Sequence, residues 1–147
     1  MKIFDCTTYY SEDLMLDVRF NVLNEHVYKF IVVESKYSHS GKQKKLNFDI
    51  NNFKKFKDKI IYLVIENEPE DIDSSNQKKI SSSVKRMNSI KRIEQSYNFM
   101  EKGINQADDN DLIILSDNDE IPNLKSDQFK NNKKDIVIFK QLFFYYK

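Results

Sequence analysis

The chain is poor in the residues that build tight turns and cross-links. Its 147 residues include two glycines, two prolines, one cysteine and no tryptophan. Phosphate-binding loops need several closely spaced glycines, so a P-loop kinase and a GxGxxG dinucleotide-binding fold are both excluded. The single cysteine, Cys6, excludes an intramolecular disulfide and favours a reducing compartment. Because Cys6 lies in an apolar N-terminal run, we interpret it as a buried and inert thiol.

Neither sign of charge dominates. Lysine and arginine (24) nearly balance aspartate and glutamate (23), so no overall field favours nucleic acid or anionic lipid. A nucleic-acid-binding module would use the lysine-rich stretches and the 11 phenylalanines and 8 tyrosines, but no recognised motif supports it. No apolar run approaches the roughly 20 residues that span a bilayer, and Asp5 comes too early for a signal peptide. We expect a single cytoplasmic domain over residues 1–147 with no membrane span.

Strand-like and helix-like patterns alternate along the chain. Apolar strand candidates occupy residues 2–6, 30–33, 60–65, 112–115 and 136–139, the last continuing into an aromatic tail at 143–146. Helical spacing or composition occurs at 11–27, 48–56, 83–107 and 125–130, and an acidic, serine-rich connection covers 66–83. This alternation predicts an α/β domain with a mostly parallel sheet flanked by helices.

Two of the predicted helices carry more specific expectations. Ser11 is predicted to cap the first helix, whose Leu16, Phe20, Leu23 and Val27 share one face. The longest helix, 83–107, carries an apolar stripe that we expect to pack on the core; it consists of Met87, Ile90, Ile93, Tyr97, Met100 and Ile104.

Two aspartates directly follow the fourth apolar run. In open α/β sheets ligands bind beyond the carboxyl ends of the strands, and Asp117 and Asp119 would point to one side there if the backbone stayed extended. Paired carboxylates repel each other, whereas a hard divalent cation such as Mg²⁺ or Mn²⁺ stabilises them. The cation could then hold the diphosphate of a leaving group. The alternative is a polar turn, in which aspartate and asparagine are common.

Four segments resemble one known family. They are residues 3–6 (IFDC) with Arg19 and Asn21, residues 30–42 (FIVVESKYSHSGK), residues 111–122 (DLIILSDNDEIP) and residues 139–146. In this order they resemble the glycosyltransferase family 17 enzymes, whose segments read VES…THSGKPKPL and DLIIISDVDEIP. The best-known members are β-1,4-mannosyl-glycoprotein β-1,4-N-acetylglucosaminyltransferases, which add bisecting N-acetylglucosamine.

The resemblance implies a GT-A-like, Rossmann-like fold, a UDP-N-acetylglucosamine donor and a glycan acceptor. It implies that Asp119 contacts Mn²⁺ or Mg²⁺ directly and that Asp117 reaches the ribose or the metal. It also implies a donor-side set that comprises Glu34, Ser35, Ser38, His39, Ser40, Gly41 and Lys42, with Lys42 opposing phosphate charge. The alternatives are that Glu34 and Ser35 only begin a loop, and that His39 and Lys42 are solvated.

The chain departs from the family pattern in two ways. Ser96 and Tyr97 occupy the place of a glutamine–arginine pair, and because Tyr97 lies on the apolar stripe we predict a core role for it. Family members also continue well past the aromatic strand, so the resemblance covers the N-terminal half of a usual enzyme. Two hypotheses follow: an active transferase completed by a homo-oligomeric partner or a C-terminal half, or an inactive remnant that binds nucleotide-sugar or metal without turnover.

Overall fold

The computed structural model describes residues 1–73, 81–125 and 135–140. Four parallel strands form one sheet in the order β3-β2-β1-β4. Their bounds are β1 Ile3–Thr8, β2 Lys29–Ser35, β3 Ile60–Ile65 and β4 Leu112–Leu115. The predicted parallel α/β architecture is therefore confirmed.

Helical segments connect successive strands. Helix α1 (Asp13–Leu23) joins β1 to β2, and a 3-10 segment (Ile50–Lys59), kinked at Phe53, joins β2 to β3. Helix α2 (Ser82–Phe99) and a short 3-10 turn (Met100–Gly103) lie between β3 and β4. The predicted helix at 83–107 thus ends as an α-helix at Phe99.

The sheet lies between two apolar layers, because alternate residues of its central strands point to opposite faces. On one face Phe30 and Val32 pack with Leu16 and Phe20 of α1 and with the 3-10 segment. On the other face Phe4, Cys6, Ile31 and Val33 pack with Ile65 and Met100. Burial raises the pKa of Cys6 to about 12, which agrees with the predicted inert thiol.

The order of the strands defines where a ligand can bind. From β1 the chain first builds outwards through β2 and β3, then returns to add β4 on the other side of β1. This is the order of a doubly wound sheet, in which a crevice opens at the carboxyl ends of the two strands where the winding reverses. The crevice therefore lies beyond β1 and β4, where the paired aspartates emerge.

Helix α2 differs from its predicted packing. Met87 and Ile90, predicted to face the core, are 51% and 43% exposed. Asn88 is buried instead, since its amide bonds the backbone N–H and carbonyl of Asp73. Only the C-terminal part of the stripe, including Tyr97, packs on the sheet. The apolar spacing predicted the position of the helix in the sequence, but not which face is buried over its first three turns.

The predicted cap of α1 and the predicted fifth strand are both wrong. Glu12, not Ser11, precedes α1, and its carboxylate accepts hydrogen bonds from the N–H groups of Tyr10 and Ser11. Residues 136–140 form no strand, and Ile136 and Ile138 are exposed. The predicted helix at 125–130 and the aromatic tail at 143–146 fall largely or wholly outside the described ranges, as do residues 74–80 of the connection at 66–83.

The helices of the described residues are too short or too polar to cross a membrane. None of the helices in residues 1–73, 81–125 and 135–140 combines the length and hydropathy that crossing a bilayer requires.

Candidate functional site

A cavity of about 720 Å³ opens at the carboxyl edge of the sheet. Its walls come from the residues after β1, β2 and β4 and from one face of α2. The polar lining consists of Thr8, Tyr9, Tyr10, Glu12, Ser35, Tyr37, Ser38, His39, Ser40, Lys44, Arg92, Ser96, Asp117, Asn118 and Asp119. The cavity thus lies where the winding reverses and brings together most of the residues predicted for the site.

The two aspartates leave β4 in a turn rather than in an extended segment. The N–H of Glu120 donates to the carbonyl of Asp117 at 3.0 Å, which closes the turn. Asp117 and Asp119 are both exposed and both line the cavity, whereas Asn118 between them is only 8% exposed. The extended backbone that would have placed both aspartates on one side is not observed, but both carboxylates still line one cavity from the turn.

A buried arginine holds this turn from beneath. The guanidinium of Arg19, which is fully buried, forms two bonds of 2.8 and 2.7 Å to the carboxylate of Asp5 on β1. The same group donates to the Ser116 hydroxyl at 2.7 Å. It also donates to the carbonyls of Asp117 (2.8 Å), Asn118 (3.3 Å) and Glu120 (3.1 Å). One side chain therefore ties α1 and β1 to the backbone of the aspartate turn.

Tyr97 holds one of the aspartates from the side of α2. Its ring packs against the second apolar cluster, and its hydroxyl donates to Asp117 Oδ1 at 2.7 Å. Burial, followed by this hydrogen bond, raises the pKa of Tyr97 to about 12. The predicted core role of Tyr97 therefore applies to the ring, while the hydroxyl belongs to the site.

The segment after β2 forms a small hairpin instead of an open loop. Tyr37 pairs with Gln43, and Gly41 closes the turn with its N–H on the Ser38 carbonyl at 2.8 Å. Gly41 has a φ of +85°, a region that favours glycine, and a side chain there would collide with the guanidinium of Arg92. The hairpin brings Ser38, His39 and Ser40 to the cavity with Ser35, whereas the cavity lining includes neither Gly41 nor Lys42.

Glu34 lies behind the cavity wall. Its carboxylate is completely buried and accepts hydrogen bonds from the backbone N–H groups of Asn47 (2.8 Å) and Phe48 (3.1 Å). It also accepts one from the Tyr62 hydroxyl (2.7 Å) and pairs with Lys44. These contacts stabilise the segment that returns from the hairpin, so in this structure Glu34 supports the wall and does not face the cavity.

Three basic side chains line the same cavity as the acidic turn. Lys44 lies 4.9 Å from the centre of the Tyr10 ring and pairs with Glu34. Arg92, on α2, pairs with Glu68 and donates to the carbonyl of His39 at 3.1 Å. His39 itself is exposed. The cavity lining therefore includes both carboxylates and basic groups.

Comparison with known proteins identifies the family of the chain. The sequence profile of glycosyltransferase family 17 matches residues 1–139. The chain belongs to glycosyltransferase family 17. Neither a curated protein nor a solved structure matches the chain.

The family 17 site offers few protein ligands for a cation. No group of three or more histidine, cysteine, aspartate or glutamate side chains is arranged to hold a metal ion among the residues that the structure describes. Asp117 and Asp119 remain as two carboxylate donors on one cavity. This set fits Mg²⁺ or Mn²⁺ better than Zn²⁺, because Mg²⁺ typically binds one or two carboxylates and completes its shell with water and substrate phosphates.

Sequence patterns missed several residues that build the family 17 site. Arg19 carried a usable signal, since it lies between Leu16 and Phe20 on the apolar face of α1 and a buried arginine requires a partner. Lys44 was indistinguishable from neighbouring lysines in sequence. Arg92 gave no signal, because its partners Glu68 and His39 lie far from it in the chain.

Asn118 yields a prediction about stability. Both polar atoms of its side-chain amide are buried with no hydrogen-bond partner among residues 1–73, 81–125 and 135–140, and an unsatisfied buried polar group costs about 1–3 kcal/mol. We expect Asn118→Val to raise the free energy of unfolding by about 1 kcal/mol, as measured by urea denaturation. A lower free energy of unfolding for Asn118→Val would contradict the conclusion that the Asn118 amide is buried without a hydrogen-bond partner.

Proposed function

We propose that this family 17 chain binds UDP-N-acetylglucosamine in the cavity beyond β1 and β4 and transfers N-acetylglucosamine to a glycan acceptor in a metal-dependent reaction. The observation that carries the proposal is the pair of exposed carboxylates, Asp117 and Asp119, on one cavity at the reversal of strand order. Family membership supports glycosyl transfer. The choice of donor follows from the resemblance to the N-acetylglucosaminyltransferases, and a GT-A-like fold fits the sheet order.

The two acids would hold Mn²⁺ or Mg²⁺ against the diphosphate of the donor. An ion held by these two residues would supply positive charge to offset the charge that develops on the leaving UDP. Asp119 is the better candidate for direct contact, because no described residue donates a hydrogen bond to its carboxylate. Asp117 already accepts one hydrogen bond from Tyr97, so one of its oxygens is available to the ion, a water ligand or the ribose.

The rest of the cavity lining is suited to the remainder of a sugar nucleotide. Arg92 and His39 line the cavity together with the two acids and would donate hydrogen bonds to phosphate oxygens there, and charge-assisted hydrogen bonds from a guanidinium are strong. Tyr10, which is 48% exposed and lines the cavity, offers a ring face to a base or sugar. The hydroxyls of Ser35, Ser38 and Ser40 supply neutral donors and acceptors. Glu34 would act indirectly, by holding the segment that carries Lys44.

The experiment is a measurement of UDP release. We expect release from UDP-N-acetylglucosamine in the presence of Mn²⁺, stimulation by a mannose-terminated glycan, and loss of activity with EDTA. UDP-glucose, UDP-galactose and GDP-mannose are the comparison donors. A different preferred donor would overturn the sugar assignment and leave the metal-dependent transferase standing.

Binding without release would distinguish the alternative function. If UDP-N-acetylglucosamine and Mn²⁺ bind but no UDP forms with or without the acceptor, the chain is a nucleotide-sugar-binding protein without turnover. If neither the donor nor Mn²⁺ binds at millimolar concentration, both functions are overturned.

A further inference from the structure

Tyr97 forms the contact between helix α2 and the carboxylate of Asp117. It lies near the C-terminal end of α2, where its ring packs against the apolar cluster that contains Phe4 and Ile31. The ring is therefore held by the core while its hydroxyl reaches Asp117, which lines the cavity. The hydroxyl donates to Asp117 Oδ1 at 2.7 Å, and no other described residue donates to that carboxylate.

We propose that Tyr97 is a positioning residue that orients Asp117 to take a divalent cation. The proposal rests on the proposed function, in which Asp117 and Asp119 hold the ion together. Tyr97 itself would not touch the metal, because its hydroxyl is engaged with Oδ1. Oδ2 is left as the oxygen that can turn towards the cavity.

The physical reason is the freedom of an exposed carboxylate. The terminal torsion of an aspartate is broad and roughly two-fold, so an exposed Asp117 without a restraint would sample many orientations. A hydrogen bond from a neutral donor to a carboxylate is stronger than one between neutral groups. The hydroxyl is fixed in place because the Tyr97 ring is packed in the core. A carboxylate that is already oriented for the metal ion loses less conformational entropy when the ion binds.

The backbone and the side chain of Asp117 are thus restrained by separate elements. Arg19, from α1, holds the Asp117 carbonyl, while Tyr97, from α2, holds the carboxylate. The two helices lie on opposite faces of the sheet. The position of this acid therefore depends on both layers, and the hydroxyl of Tyr97 can be removed without disturbing the turn below it.

The test is the affinity of the whole chain for Mn²⁺ in the presence of UDP. We expect Tyr97→Phe to raise the dissociation constant about three- to tenfold and to lower the melting temperature by no more than about 4 °C, because the phenylalanine ring keeps the packing and a single hydrogen bond is lost. In turnover, the apparent KM for Mn²⁺ should rise while kcat at saturating Mn²⁺ stays within about twofold. Tyr28→Phe is the matched control, since Tyr28 lies at the opposite end of the sheet, beside the start of β2.

The outcomes separate this inference from the proposed function. If wild type and Tyr97→Phe bind Mn²⁺ equally well, the positioning role is overturned and the metal site stands. If Tyr97→Phe lowers the melting temperature and leaves the Mn²⁺ constant unchanged, Tyr97 is only a packing residue. If wild type itself does not bind Mn²⁺ with UDP, the proposed function is overturned and the inference with it.

Discussion

Arg19→Met should lower the free energy of unfolding by about 3–5 kcal/mol, the usual cost of leaving one partner of a buried ion pair alone. The carboxylate of Asp5 is buried beside Arg19 and receives two of its hydrogen bonds. Methionine fills much of the same volume but donates nothing. Chemical denaturation followed by circular dichroism measures the loss.

The same substitution should release the aspartate turn. Without Arg19, the Ser116 hydroxyl and the carbonyls of Asp117, Asn118 and Glu120 lose a common donor. We therefore expect Mn²⁺ binding to weaken even at temperatures where the variant remains folded. The stability of the protein and the geometry of the site depend on one side chain.

A double variant separates these two effects. Replacing both charges, as in Asp5→Val with Arg19→Met, removes the unpaired buried carboxylate, and apolar replacements of buried ion pairs are often close to neutral. Much of the lost stability should return, whereas Mn²⁺ affinity should remain low because the turn still lacks its donor. If the double variant recovers full Mn²⁺ affinity, Arg19 does not position the turn.

The second large effect concerns Asp119. We expect UDP-N-acetylglucosamine with Mn²⁺ to raise the melting temperature of the wild-type chain, because a ligand that binds only the folded state stabilises it. At a hundredfold excess over the dissociation constant the gain is about 2.7 kcal/mol, or about 5–10 °C for a domain of this size. Asp119→Ala should abolish this shift.

Asp109→Ala is the matched control for Asp119→Ala. Asp109 is also an exposed acid, but it lies before β4 at the other end of the strand and outside the cavity. It should therefore keep the full ligand-induced shift. A normal ligand-induced shift in Asp119→Ala would show that Asp119 does not bind the metal ion. An equal loss of the shift in Asp109→Ala would show that the loss comes from the change in net charge.

The parts of the fold that depend on local pattern were predictable. The apolar runs of β2, β3 and β4 are continuous and bounded by polar residues, so their positions followed from the sequence alone. The parallel direction followed from the intervening helices. The run at 136–139 is as continuously apolar as β4 yet forms no strand, since a strand requires a partner edge that composition does not reveal.

The candidate site was predictable where its residues follow strands and not where they come from elsewhere. Asp117, Asp119 and Ser35 reach the cavity because parallel strands end at one edge. Glu34 also ends a strand, but it points away from the cavity into a set of backbone N–H groups. Side-chain direction at a strand end, like the reach of Arg92 from α2, is determined by tertiary contacts that no local spacing encodes.

The central claim is that Asp117 and Asp119 together hold a divalent ion that in turn holds a sugar diphosphate. Titration of the wild-type chain with Mn²⁺, followed by the electron paramagnetic resonance of the free ion, tests it most directly. We expect one bound Mn²⁺ per chain, with affinity increased by UDP and lost in the Asp117→Ala, Asp119→Ala double variant. A free Mn²⁺ signal equal to that of a protein-free titration, both without UDP and at the same UDP concentration, would show that the chain holds no ion.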